Sequence, residues 1–204
     1  MQKAALGTLY EGRDQGQAML YAAFGWALYL ILVTFADVNW PDGADFKSMI
    51  SALARFGSII AFLGAAIAFS HSMPRSLRTP AIITSILAVV GGAIQLSGVM
   101  DLMQRVPDIG AFNATFLVAQ FVYSLALFPL SYCLRRHPLF PEWLGVGLAI
   151  DGLFWILYYI VNLRDFENLF FEILAWGPSM IIETLVGIYF IRAGIKLVKM
   201  TQPE

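Results

Sequence analysis

One cysteine, Cys133, and two histidines, His71 and His137, are all that the chain offers to thiol or imidazole chemistry. A lone cysteine excludes an intrachain disulfide and leaves the redox compartment unargued. Without a second cysteine or an HExxH pattern, zinc has no recognisable ligand set, and no metal or other cofactor is expected. Both histidines fall in connections expected on the same side of a membrane, where imidazoles are more often solvated than used as haem or metal ligands. Charge is scarce as well. Lys, Arg, Asp and Glu make up 13% of the 204 residues, against about 25% in a soluble domain. The formal net charge of -1 excludes the basic footprint that nucleic-acid binding needs. Long polar stretches are missing too: the longest connection between apolar runs is the twelve residues Asp37 to Ser48. Any function must therefore lie within the apolar part of the chain or on its rims.

What is abundant is apolar: 59% of residues are hydrophobic and the mean hydropathy is +0.71. Six runs are long enough to span about 30 Å of hydrocarbon at about 1.5 Å per residue. They are Ala18 to Ala36, Met49 to Ser70, Ala81 to Asp101, Ala111 to Leu134, Trp143 to Leu163 and Leu169 to Ile191. The expected fold is an all-α, polytopic membrane bundle of six transmembrane helices in one domain, residues 1–204. The first run follows a segment holding Lys3, Glu11, Arg13 and Asp14 and exceeds a signal-peptide core, so it reads as a retained helix.

Orientation follows from the basic residues. Lys3, Arg13, Arg75, Arg78, Arg135, Arg136, Arg192, Lys196 and Lys199 fall on one side, against Lys47, Arg105 and Arg164 on the other. Short connections rich in Lys and Arg stay cytoplasmic, so both termini are expected inside, in the inner (plasma) membrane of a cell. The opposite connections are acidic, with Asp37, Asp42, Asp45, Asp108, Asp165 and Glu167.

Polar residues within the spans carry the chemistry. A charge at the bilayer centre costs about 3 kcal/mol on insertion scales, so Arg55, Asp151, Glu172 and Glu183 should turn inward. Residues three, four or seven apart share a helix face. On that spacing Asp151, Trp155, Tyr158 and Asn162 form a stripe on the fifth helix, and Glu172, Trp176, Ser179, Glu183 and Gly187 form one on the sixth. The fourth helix carries Asn113, Phe116, Gln120, Ser124, Leu127 and Ser131, the third Thr84, Ala88, Gly91 and Gln95, and the second Ser51, Arg55 and Ser58. Ala18 to Ala36 has no charged or amide side chain, so the first helix is expected to face lipid over much of its circumference. Pro129 and Gly177-Pro178 should kink the fourth and sixth helices. Arg55, about 8 to 9 Å deep, is expected to meet an acid or amide of another helix. Glu172, about 5 Å deep, is the first choice of partner, with Asp101 or Gln95 next. Asp151 and Glu183, each about 12 Å from the cytoplasmic end of its span, are expected to face each other and to share a proton or cation.

The segments Leu139-Phe140-Pro141-Glu142-Trp143-Leu144-Gly145 and Ile150-Asp151-Gly152-Leu153, with Pro178, Glu183, Ile191-Arg192-Ala193-Gly194 and Ala54-Arg55-Phe56-Gly57, resemble a group of bacterial six-helix membrane proteins, domain-of-unknown-function family 4386. The chain departs from that group in carrying Gln95 where a basic residue is expected. The resemblance implies a fold and no reaction.

Three functions remain open on the residues. A non-enzymatic bundle could bind or carry an ion, a proton or a small ligand in its polar seam, with Asp151, Glu183, Arg55, Glu172, Gln95, Gln120, Tyr158 and Asn162 as candidate contacts. A membrane enzyme acting on a lipid would need a nucleophile with a base, or a metal. A structural subunit would use the same stripes as interhelical glue or against a partner chain. Membrane lipid is the one partner common to all three, and self-association is left open.

Overall fold

The computed structural model describes residues 2–38, 46–103, 109–162 and 169–200. Six helices account for them: α1 (Gln2–Val38), α2 (Phe46–Ser72), α3 (Arg78–Leu102), α4 (Ile109–Arg136), α5 (Glu142–Asn162) and α6 (Leu169–Met200). A single 3-10 turn, Arg75–Leu77, links α2 to α3, and no strand occurs among the described residues. Over their described residues five helices are long and apolar enough to cross a membrane: Gly12–Ala36, Met49–Ser72, Asn113–Arg136 and Glu142–Asn162, with Arg75–Met100 as the third. The sixth holds Gly177, Pro178, Ser179 and Glu183 in mid-helix, and packing between α5 and α1 places it in the same layer. The protein is an all-α bundle of the membrane type.

The helices outrun the hydropathic spans at several ends because hydropathy detects the lipid-buried stretch, whereas the backbone hydrogen-bond ladder continues into the headgroup region. Pro129 and Pro178 each lack the N–H that would reach back one turn, yet α4 and α6 are each assigned as one continuous helix.

Every helix packs against its neighbours in sequence, and α1 packs against α6. Consecutive helices run antiparallel. Ser51 of α2 donates to the carbonyl of Ala36 at the far end of α1 (3.1 Å), and Ser85 of α3 donates to the carbonyl of Ala66 in α2. Asp151 of α5 accepts from Ser179 of α6. The six helices thus close into a ring.

Small residues allow the close crossings. A Cβ on Gly16 would sit 2.9 Å from the carbonyl oxygen of Gly194, and one on Gly194 would sit 2.8 Å from that of Gly16, so backbone meets backbone where α1 and α6 seal the ring. A Cβ on Gly25 would meet the Ala61 carbonyl at 2.9 Å and Ala65 Cβ at 3.1 Å. This is the small-residue contact that brings transmembrane helices together where no hydrophobic driving force acts between them.

Polarity is distributed as lipid requires. Facing outward are Ile31, Ile60, Ile67, Ile86, Ile173 and Ile181, each more than half exposed, while Arg55, Gln95, Gln120, Asp151 and Asn162 are buried. One apolar cluster, including Met19, Phe69, Met73, Leu77, Leu134, Phe140, Leu144 and Phe190, fills the end of the ring at the α2–α3 and α4–α5 connections. A smaller one, Ala52, Ile59 and Val99, lies toward the other end between α2 and α3. Arg13, Arg75, Arg78, Arg135, Arg136, Arg192, Lys196 and Lys199 all occupy the first of these ends or the helix termini beside it. Of the acidic residues expected on the opposite side, Asp37 lies in the last turn of α1, and Asp42, Asp45, Asp108, Asp165 and Glu167 lie outside the described residues.

His137 departs from the sequence expectation. His71 is exposed, but His137 is buried under the basic end, edge-on to Phe140 at 5.0 Å, and its Nδ1 accepts the Leu139 N–H at 3.2 Å. The short α4–α5 connection folds back on itself and covers the ring, and burial pushes the imidazole down to about 4. Beside it, exposed Arg135 and Glu142 pair at 2.9 Å across the same connection, a surface contact of the kind that contributes little to stability.

Candidate functional site

Within the ring lies a partly open cavity of about 130 Å³ lined by residues of all six helices. From α1 come Ala22, Trp26, Tyr29 and Val33, spaced three, four and seven apart on one face. Phe62, Ala65 and Phe69 come from α2, and Thr84 and Ala88 from α3. The wall continues with Gln120, Tyr123 and Ser124 of α4, Trp155 of α5, and Trp176, Ser179, Glu183, Gly187 and Phe190 of α6. The first helix leaves most of its span unburied, as expected of a helix that faces lipid over much of its circumference, but one face of it lines the cavity together with the other five helices. Its contribution is aromatic, and a search for charged and amide residues passes over it. The i, i+4, i+7 spacing of Ala22, Trp26 and Tyr29 was the available signal.

Rings pack in series along one side of the cavity. Trp26 lies 5.3 Å from Tyr29 and 5.5 Å from Phe62, which in turn meets Tyr123 edge-on at 4.8 Å. Across it, Trp155 and Trp176 meet edge-on at 4.9 Å. These spacings are those that aromatic quadrupoles favour. The Tyr123 hydroxyl, on the wall, donates to Gln95 Oε1 at 3.1 Å. Gln95 thus belongs to the layer behind the wall and ties α3 to α4.

The acids stand on the α5–α6 side. Trp155 Nε1 donates to Ser179 Oγ at 2.6 Å, and Ser179 Oγ donates to Asp151 Oδ1. Donation runs one way through this relay, from indole to hydroxyl to carboxyl. Asp151 is 1% exposed, and its second oxygen, Oδ2, has no hydrogen-bond partner among the described residues. A buried carboxyl oxygen left in that state is costly unless a proton or cation meets it. Glu183 lies on the cavity wall one turn further along α6 and within electrostatic range of Asp151. The two acids expected to face each other do share one region of the ring.

Compared with protein families, curated proteins and solved structures, the chain matches none.

The remaining candidates are placed as follows. Gln120 is buried on the wall. Arg55 is buried inside the ring rather than turned to lipid, with its guanidinium 5.9 Å from the centroid of Phe116, toward the end away from the basic connections. The side chains of Glu172 and Asp101, its expected acidic partners, lie outside the described residues. Tyr158 packs edge-on to Trp155 at 5.5 Å, and Asn162 returns its amide to the Tyr158 carbonyl at 2.9 Å. Of the α4 stripe, Gln120, Ser124 and Ser131 are buried and Asn113 is exposed. Some serines do act as glue between helices, as Ser51 and Ser85 show. Ser58, Ser72 and Ser124 bond instead to carbonyls of their own helices.

Among the described residues no three His, Cys, Asp or Glu side chains converge. The structure brings together one carboxyl on a cavity wall, a second held behind it by a hydroxyl relay, and facing aromatic surfaces. Such an arrangement can exchange a proton and hold a small, largely apolar ligand.

Proposed function

We propose that this protein is a non-enzymatic membrane bundle that binds a proton together with a small ligand in its central cavity, as a carrier or binding protein, with Asp151 and Glu183 as the exchanging groups. The observation that carries the proposal is the buried Asp151 carboxyl. Oδ1 is held by Ser179 and Oδ2 is unpartnered, and Glu183 stands near it on the cavity wall. Two carboxyls at one depth in low dielectric cannot both ionise cheaply, so protonation of one depends on the state of the other. Gln120 is a direct contact in this reading. Gln95, Tyr158 and Asn162 support the wall from behind, and Arg55 lies apart from it beside Phe116. We assign the basic end to the cytoplasm and the protein to the inner membrane on its arginines and lysines. We place it with unknown-function family 4386 on the motifs from Leu139 to Gly145 and from Ile150 to Leu153.

The test needs no ligand. Infrared difference spectra recorded on a pH change in lipid should contain a protonated-carboxyl band that shifts in heavy water and titrates. Glu183→Gln and Asp151→Asn should each remove or move it. A spectrum in which neither substitution alters any titrating carboxyl band would refute proton exchange at this pair.

A further inference from the structure

We infer that the ligand is a compact organic cation, an alkylammonium of the size of choline, taken up between the aromatic walls with Glu183 as its counter-charge. This inference rests on the binding role proposed above and names its ligand class. Sign comes first: the wall carries the Glu183 carboxyl, Asp151 lies behind it, and no Lys, Arg or His lines the cavity among the described residues. An anion would meet one or two like charges and no donor of opposite charge.

The surface decides between inorganic and organic cations. Eight aromatic side chains line the cavity, among them Trp26, Phe62, Trp155 and Trp176. A hard metal cation demands six or more oxygen ligands or its own water shell, and neither suits a wall built chiefly of rings and methyls. An alkylated ammonium is weakly hydrated and is attracted by ring faces, most strongly by tryptophan. The volume of about 130 Å³ is slightly below the roughly 150 Å³ of an engineered cavity that admits benzene. That admits a handful of heavy atoms. Cation–π attraction alone tolerates many orientations, and a carboxylate at one point of the wall fixes where the charge rests.

The test compares three probes of one shape on the full chain in detergent or nanodiscs, read by the fluorescence of the wall tryptophans. The probes are choline, its uncharged isostere with carbon in place of nitrogen, and tert-butylacetate as the anion, with potassium chloride as a competitor. Choline should bind saturably and more tightly than the isostere, the anion should not bind, and potassium should not compete beyond its ionic-strength effect. Glu183→Gln should weaken choline about 10- to 100-fold and leave the isostere unchanged, which also shows that the cavity is intact. Trp176→Leu should weaken choline by about tenfold more than the isostere. Equal affinity for choline and its isostere, retention of choline binding in Glu183→Gln, or full displacement by potassium would each overturn the cation assignment. Binding of none of the probes would overturn it too. The infrared titration of Asp151 and Glu183 stands independently of these outcomes and decides the underlying reading.

Discussion

Removing the Ser179 hydroxyl interrupts the only described hydrogen-bond relay that joins an indole, a hydroxyl and a carboxyl across α5 and α6. In Ser179→Ala, Trp155 Nε1 loses its acceptor and Asp151 Oδ1 its donor, while Asp151 Oδ2 already lacks a partner. Interhelical hydrogen bonds in membranes average about 0.6 kcal/mol and reach about 1.7 kcal/mol. Leaving a buried group unsatisfied costs about 1–3 kcal/mol. With two bonds lost at a site that is 1% exposed at Asp151 and 3% at Ser179, the expected destabilisation is about 2–3 kcal/mol. Reversible unfolding in mixed micelles, followed by helical circular dichroism, measures it. A double-mutant cycle then isolates the relay. Trp155→Phe removes the first donor while keeping a ring on the wall. Adding it to Ser179→Ala should therefore cost less than the two single losses together, by about 1 kcal/mol. If the two substitutions add to within about 0.3 kcal/mol, the indole and hydroxyl are energetically independent and the relay is a coincidence of position.

Cysteine probes test the assigned orientation. Cys133 is buried, so background labelling should be low. Cysteines at 42 and 165 should react with an impermeant reagent added outside intact cells, whereas those at 75 and 199 should not; reaction at the last two would invert the topology. A pH effect follows from His137, whose proton affinity in the fold is pushed down to about 4 from an ordinary value of 6.5. The neutral ring accepts from Leu139, and the unfolded chain takes up the proton first, so stability should be constant above about pH 6.5 and fall as pH drops toward 4. A tenfold change in proton affinity is worth about 1.4 kcal/mol, and with partial screening at the bundle's end the loss should be about 2 kcal/mol. Thermal unfolding across that range should show it, and His137→Leu should flatten the curve; an unchanged slope in that variant would place the responsible group elsewhere. Gly25→Leu should part α1 from α2 and cost about 2–4 kcal/mol, whereas the same change at Gly64, where a Cβ would meet nothing within 4 Å, should stay within about 0.5 kcal/mol.

How much of this could be read in advance depends on what each residue contrasts with. Asp151, Trp155, Ser179 and Glu183 stood out because a polar group in an apolar run has few tolerable directions, and helical spacing then fixes the shared face. Arg55 was legible for the same reason. Trp26, Tyr29 and Phe62 were not, since an aromatic residue in a membrane helix is equally at home against lipid, against a neighbour or around a cavity. Only the closing of α1 onto α6 decides among these. His137 was misread because a loop position was equated with exposure, whereas the α4–α5 connection folds under Phe140. The crossing of Gly25 with Ala61 and Ala65 was not legible. A small residue announces close approach without saying which helix approaches.

The ring has a consequence for how the protein comes into being. Five of its six seams join helices that follow one another in the chain, and such neighbours can associate as soon as they leave the translocation machinery. The seam between α1 and α6 is different, because its halves lie at opposite ends of the order of synthesis. Until α6 arrives, α1 to α5 can form only an open trough whose aromatic lining faces lipid. With α6 come Ser179 and Glu183 at once, so the wall, the relay and the chamber itself all date from the last helix to enter the bilayer. A chain halted before that helix would hold Asp151 with its Ser179 donor missing.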